Sequence, residues 1–364
     1  MSRLRIELGE RSYNLEVYGG IIACAGELVS EACPGRRAAV VTNRKIGELY
    51  GERVVKSLDD AGISAQVIVV PAGEKYKTLR TVAGIYEKLL DQRLDRSGVI
   101  IGLGGGIVGD MAGFAAATFL RGVDFVQIPT SLLAQVDASI GGKTGVNLSR
   151  GKNLVGAFHQ PRVVIIDTDV LSTLPRREFR AGLAEIIKHA IIRDVDYFTF
   201  LERNLPSILR LDHTALERTI ERSCEIKAEV VRADERELGL RRILNYGHTA
   251  AHAIERLTAY RTYKHGEAVA MGMVTASMVA REMGSADPDL VERIVGLVRA
   301  AGLPYTLPMG LDAKELVSAM GFDKKVSHGR LNTVVVSSIG HASVTDDVSP
   351  EVWLGALARQ KMLS

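Results

Sequence analysis

Through the first half of the chain, short apolar runs alternate with amphipathic stretches. Ala38-Ala39-Val40-Val41-Thr42, Gln66-Val67-Ile68-Val69-Val70, Val99-Ile100-Ile101, Phe125-Val126-Gln127-Ile128 and Val163-Val164-Ile165-Ile166-Asp167 are each of strand length. This alternation predicts an α/β unit with a doubly wound, mostly parallel sheet. Residues 4–8 and 13–17 flank Gly9-Glu10-Arg11 and predict an added N-terminal hairpin. After Leu171-Ser172-Thr173-Leu174-Pro175 the apolar period lengthens to about 3.6 residues, with amphipathic helices expected over 216–232 and 267–282. The expected division is therefore an α/β domain over 1–170 and a mainly α-helical domain over 171–364. No repeat or low-complexity linker separates them, which predicts close packing and a cleft.

Composition narrows the function classes. A chain of 364 residues, 46% hydrophobic and 24% charged, can bury a core in two domains. Its net charge of +3 is dispersed and its aromatics are few, so the pattern is not that of a nucleic-acid surface. Residues 98–120 carry one charge, Asp110, over a length that could cross a bilayer, but glycines interrupt them and no similar segment recurs. The N-terminus alternates charge without an apolar signal core. Cys24, Cys33 and Cys224 are odd in number and lack CxxC spacing, which fits buried thiols in a reducing compartment. A soluble cytoplasmic enzyme is expected.

Candidate chemistry lies in two glycine-rich blocks, Leu103 to Asp110 and Ser139 to Asn147. Glycine lets backbone N–H groups approach an anion, and the Ala-rich sequence after Asp110 predicts a helix whose N-terminus favours negative charge. Strand, glycine turn and helix in that order suit a nucleotide phosphate, though tight helix–strand packing would also use glycine. In the helical half, Glu185, His248 and His265 stand in small or apolar neighbourhoods; one carboxylate and two imidazoles suit a divalent ion such as Zn²⁺. Their separations follow no short metal pattern, and His189 and His252, four residues after Glu185 and His248, are rivals. Lys143, Lys152, Lys188, Lys227, Arg241 and the Asp323-Lys324-Lys325 turn add cations of the kind an anionic substrate requires.

These segments resemble the 3-dehydroquinate synthase family of sugar phosphate cyclases. The resemblance runs through Pro71 to Thr78, the Gly104 to Asp110 block, Pro129 to Asp137, Gly141-Gly142-Lys143-Thr144, Gly151-Lys152-Asn153, Ala181 to Lys188 and Leu244 to Thr249. It implies a Rossmann-like NAD⁺-binding domain followed by a helical metal-binding domain. Gly73, Glu74, Lys75, Tyr76, Lys77, Gly106, Ile107, Val108, Gly109, Asp110, Thr130, Ser131, Lys143, Lys152, Leu171, Ser172 and Thr173 are implied to surround NAD⁺. Glu185, His248 and His265 are implied to hold one zinc or cobalt ion, which raises these histidines above their rivals. Asp137, Lys143, Lys188, Lys227, Arg241, Asn245, His252 and Lys325 are implied to bind substrate or assist proton movement, and Arg121 to reach the substrate phosphate from the other subunit of a homodimer.

The implied reaction converts 3-deoxy-D-arabino-heptulosonate 7-phosphate to 3-dehydroquinate and phosphate. C5 is oxidised transiently, phosphate leaves by β-elimination, C5 is reduced again, and the opened ring closes by an intramolecular aldol step. Ser131, where the family commonly has Thr, and Ala251, where it commonly has Gly, are small departures. The alternatives are a metal- and NAD-dependent polyol or alcohol dehydrogenase, another sugar phosphate cyclase, or a non-catalytic relic of the scaffold. The lysine set argues against the first, because a simple alcohol needs no anion clamp. Retention of the whole polar set argues against the last.

Overall fold

The apolar runs become β1 (Ser2–Ile6), β2 (Tyr13–Tyr18), β3 (Arg37–Asn43), β4 (Ser64–Val70), β5 (Val99–Gly104), β6 (Asp124–Pro129) and β9 (Val163–Asp167), with β7 (Lys143–Leu148) and β8 (Gly151–Phe158) between the last two. Seven of them form one sheet in the order β1-β2-β9-β6-β5-β3-β4, parallel except for the β1–β2 pair. The computed structural model describes residues 2–321, 326–327 and 330–363. It divides into one unit of Met1–Leu174 with Leu216–Arg236 and a second of Pro175–Ala215 with Glu237–Ser364.

In the first unit the central strands of the sheet are covered on both faces, as continuous apolar strands require, while the edge strand β4 leaves Val67 and Val69 exposed. Val99, Ile101 and Leu103 of β5 join Val29, Val54 and Leu58 in one apolar layer, while Ile100 joins Val82, Ile85 and Met111 in the other. Residues 98–120 accordingly divide between β5 and the buried Gly106–Thr118 helix. Among the described residues, no helix is long and apolar enough to cross a membrane. Strand order reverses between β3 and β5, a switch point that opens a crevice at the carboxyl ends of the strands, where Asn43 and Gly104 lie.

Two local differences from the pattern have physical causes. β1 ends at Ile6, because Gly9–Arg11 forms a 3₁₀ turn and the Leu8 N–H donates to Ser12 Oγ at 2.8 Å. The second glycine block is not a loop throughout: β7 and β8 form an antiparallel hairpin in which Gly145 meets the Val155 carbonyl too closely for any Cβ. Cys24, Cys33 and Cys224 are unpaired thiols, and burial pushes Cys33 up to about 12.

The second unit is mainly helical, with an unanticipated hairpin of Thr333–Ser338 and His341–Thr345. Three of its helices matter most: Arg176–Arg193, His248–Leu257 and His265–Glu282. Gly266 lies so close to the Ala181 carbonyl, and Gly272 to the Gly247 carbonyl, that a Cβ at either would overlap backbone. Gly247 itself is left-handed (φ 77°) and abuts Met273 N.

Gly272→Ala is therefore expected to destabilise the protein by about 1–3 kcal/mol through overpacking. Gly296→Ala, in the Leu290–Ala300 helix with open space around it, should be neutral or stabilising by up to about 1 kcal/mol. Thermal unfolding of the two variants checks the contrast.

Candidate active site

In the first unit, Gly105 precedes the Gly106–Thr118 helix at the end of β5 with φ −73°. The turn therefore needs no left-handed glycine. Close packing explains part of the block: a Cβ on Gly109 would meet Gln127 Oε1, and one on Gly113 would meet Phe125 and Thr144. The positive-φ glycines near the expected site are Gly73, Gly141 and Gly142 instead.

A polar network stands beside this turn. The buried Lys77 ammonium donates to the Asp110 carboxylate and, at 2.5 Å, to Asn153 Oδ1. Withdrawal from water pushes the Asp110 carboxyl above its ordinary value, and Lys77 opposes that rise. Asn147 Nδ2 donates to Glu74 Oε1 at 2.7 Å, Asn147 N to the Lys77 carbonyl at 2.8 Å, and Asn153 N to Asn147 Oδ1 at 2.9 Å. Glu74, Lys77 and Asp110 are thus brought together by Asn147 and by Asn153, which is held left-handed at φ 53°. Neither asparagine stood out by residue type alone.

The remaining expected residues of this unit are placed less uniformly. Thr130 is buried and its N–H donates to the Gly104 carbonyl at 2.9 Å, tying β6 to the glycine turn. Ser131 Oγ accepts from Ala134 N at 3.4 Å. Val108 is buried and Ile107 half-buried. Thr173 lies in the Asp169–Thr173 turn with Leu171 and Ser172, its Oγ1 2.5 Å from the Tyr50 hydroxyl. Lys75 is exposed, 4.8 Å from the Tyr76 ring, and joins none of these bonds. Lys143 begins β7 exposed and Lys152 is half-buried on β8. The buried Lys227 ammonium donates to both the main-chain oxygen and the carboxylate of Asp137. Arg121 is exposed in a turn where Leu120, Arg121 and Gly122 have φ of 50°, 70° and 123°. Two adjacent non-glycine residues in that region are strained.

A cavity of about 490 Å³ lies at the ends of β3 and β4, lined by Asn43, Arg44, Lys45, Glu48, Pro71 and Ala72 among others. Its first four lining residues were not anticipated from the sequence. An available signal was Asn43, which ends a strand and caps the next helical turn by accepting from Ile46 N at 3.1 Å.

In the second unit, Glu185 is fully buried on the Arg176–Arg193 helix. Its Oε2 accepts from the buried Lys188 ammonium, while Oε1 has no hydrogen-bond partner. Oε1 faces His248 Nε2 at 3.8 Å and His265 Nε2 at 3.7 Å. Ligands at about 2.1 Å from a tetrahedral ion are separated by roughly 3.4 Å, so these gaps, too long for hydrogen bonds, suit atoms that share an ion. The rings face it correctly: His248 Nδ1 is 3.1 Å from the Tyr246 carbonyl and His265 Nδ1 is 3.4 Å from Glu255 Oε1. Glu185, His248 and His265 form a group whose ligand atoms lie within 4.8 Å of one another.

Helix termini position the histidines. Gly247 precedes the helix that His248 begins. His265 opens the His265–Glu282 helix, whose Glu267 accepts from Lys264 N at 2.8 Å and pairs with both Nε and Nη2 of Arg177, at 2.6 and 2.7 Å. Hydrogen bonding to Arg177 and Lys264 outweighs burial and holds the Glu267 carboxyl below its ordinary value, so it stays charged in this role. His189 is buried on the Glu185 helix, and His252 packs its ring 5.6 Å from His248 and 6.4 Å from His265. Asn245 Nδ2 donates to Glu237 Oε1 at 2.7 Å, and Arg241 is buried in the same 3₁₀ segment. Lys325, with Asp323 and Lys324, lies outside the described residues. Glu255 and Glu237 were not anticipated; the only signal for Glu255 is its place seven residues after His248 on one helix face.

Residues 67–181 match the family described as 3-dehydroquinate synthase N-terminal, and 182–326 that described as 3-dehydroquinate synthase C-terminal. The chain is 48% identical to a 3-dehydroquinate synthase of Desulforamulus reducens, across 99% of this chain and 100% of the other. It superposes with a TM-score of 0.88 and 28% identity on a 2-epi-5-epi-valiolone synthase from Streptomyces hygroscopicus determined with NAD⁺ and Zn²⁺ bound, covering 99% and 98% of the chains. A 2-deoxy-scyllo-inosose synthase complexed with carbaglucose-6-phosphate, NAD⁺ and Co²⁺ gives a TM-score of 0.88 at 26% identity, covering 98% and 100%. The chain belongs to the 3-dehydroquinate synthase family.

Proposed function

We propose that this chain converts 3-deoxy-D-arabino-heptulosonate 7-phosphate to 3-dehydroquinate and phosphate, as a lyase dependent on NAD⁺ and one divalent ion, zinc or cobalt. The observation that carries the reading is the Lys188 ammonium buried against the carboxylate of the metal-type trio. A dehydrogenase acting on a neutral polyol has no use for a buried cation at that place, whereas a phosphorylated, carboxylated sugar does. Family membership supports the same assignment.

When bound, NAD⁺ supplies a reversible hydride acceptor and the divalent ion supplies Lewis-acid polarisation of substrate hydroxyls. Glu185, His248 and His265 would hold the ion, the orphaned Oε1 of Glu185 and the two Nε2 atoms being its donors. Glu74, Lys77, Gly106 to Asp110, Thr130, Ser131, Lys143, Lys152 and Leu171 to Thr173 would hold NAD⁺, with the helix N-terminus after Gly105 toward its phosphates. Lys75 and Tyr76 are carried with that set on family resemblance.

The cations position the substrate. Lys188, Arg241 and Lys325 neutralise its carboxylate and phosphate by charge-assisted hydrogen bonds. Lys227, paired with Asp137, and Lys143 add further charged donors for the same anionic groups. Asn245 is oriented by its bond to Glu237, and with His252 it hydrogen-bonds the substrate during ring opening and closure. The substrate phosphate takes the C6 proton. The enzyme is read as a cytoplasmic homodimer in which Arg121, presented on its exposed turn, reaches the substrate phosphate in the neighbouring subunit.

Three outcomes test this reading. Metal-loaded protein with NAD⁺ should release phosphate and form dehydroquinate with no accumulation of NADH at steady state; chelation or His265→Ala should abolish release. Stoichiometric NADH without phosphate release would move the chain to the polyol dehydrogenases. Lys188→Ala should lower kcat/KM on the order of 10²-fold in steady-state assays, as loss of one preorganised charged donor does. Lys77→Ala, which strands Asp110, should weaken NAD⁺ binding by roughly 10-fold or more in calorimetry.

A further inference from the structure

We infer that Glu255 is a positioning residue that fixes His265 in the form able to ligate a divalent ion. The inference rests on the metal reading of Glu185, His248 and His265 and concerns what stands behind it. An imidazole ligates through the nitrogen that carries no hydrogen, so a ring presenting Nε2 must carry its hydrogen on Nδ1. An acceptor opposite Nδ1 selects that tautomer and sets the plane of the ring.

His265 meets this requirement through Glu255. Glu255 Oε1 stands 3.4 Å from His265 Nδ1, while Nε2 of the same ring faces Glu185 Oε1 at 3.7 Å. The carboxylate is buried, 6% exposed, where an ionised group is retained only against partners. Its placement follows from the helix: His248, His252 and Glu255 fall at i, i+4 and i+7 on one face, and the His265 ring lies 5.2 Å from that of His248. Glu255 is thus on the far side of His265 from Glu185, behind the ligand set. His248 meets the same requirement differently, with the Tyr246 carbonyl opposite its Nδ1 at 3.1 Å. One ligand is oriented by a neutral backbone group set by the chain turn. The other depends on a side chain that mutation can remove.

The test measures Zn²⁺ and Co²⁺ affinity of the full chain by chelator competition, with the visible spectrum of the Co²⁺ form and thermal unfolding of the metal-free protein recorded alongside. Glu255→Ala should lower affinity for both ions by about 10–100-fold and alter the Co²⁺ spectrum, as loss of an outer partner of a ligating histidine does. Glu255→Gln, which keeps an acceptor oxygen, should recover most of that affinity. If Glu255→Ala fails to fold, Glu255→Met, apolar and of similar volume, takes its place in the comparison. Affinity and spectrum unchanged in the Ala or Met variant would overturn the positioning role, and so would a Gln variant as weak as these. A failure of the underlying reading looks different: wild-type protein without a tight site, or His265→Ala binding as tightly as wild type, would remove the metal assignment itself.

Discussion

Everything in the helical unit's polar site depends on how closely three helices approach one another. Gly266 lets the His265–Glu282 helix meet the Ala181 carbonyl, one turn before Glu185. Gly272 lets the same helix meet the Gly247 carbonyl, one residue before His248. A side chain at either glycine would force the backbones apart, because main chain cannot swing aside as a flexible side chain can. The two missing Cβ atoms therefore set separations that the functional side chains then use. Glu185, His248 and His265, remote in sequence, come within ligand distance because their backbones are fixed first.

Against that packed frame, three buried lysines stand out: Lys77 with Asp110, Lys188 with Glu185, and Lys227 with Asp137. Removing an ion pair from water costs several kcal/mol per ion, so an apolar pair of similar volume would serve stability as well or better. Stability alone does not account for them, so each marks a place where charge is held out of water at a cost. The exposed pairs, such as Arg44 with Glu48 and Lys56 with Asp60, are of the ordinary surface kind and carry no such implication.

The sequence disclosed what periodicity and residue type can disclose. Five apolar runs became five parallel strands, the central ones because both their faces are covered, and the edge strand β4 because its apolar run persists although Val67 and Val69 are exposed. The β7–β8 hairpin was obscured because its glycines resemble a loop, although Gly145 and Gly156 are there to let two backbones touch. Glu185, His248 and His265 stood out as polar residues in apolar surroundings, but only the family resemblance set these histidines above His189 and His252. Glu255 was not, since a carboxylate near the end of an amphipathic helix reads as solvated surface until the fold places His265 over it. Asn147 and Asn153 were hidden likewise: each lies on a strand of the glycine-rich hairpin, where residue type gives no reason to single it out, yet Asn153 stands at φ 53° and accepts from Lys77.

What separates ring-forming chemistry from plain alcohol oxidation on such a scaffold is neither the dinucleotide nor the metal, since both reactions need a hydride acceptor and a polarised hydroxyl. The difference is local charge. A net charge of +3 over 364 residues gives little long-range attraction for an anion, so recognition has to come from cations fixed at short range. In the helical unit Lys188 and Arg241 are buried cations of that kind. Buried cations are strong donors because little water competes with the substrate for them, and their geometry is set before the substrate arrives. The pair with Glu185 fixes the Lys188 ammonium before any ligand arrives, which is the preorganisation that charged recognition at short range requires.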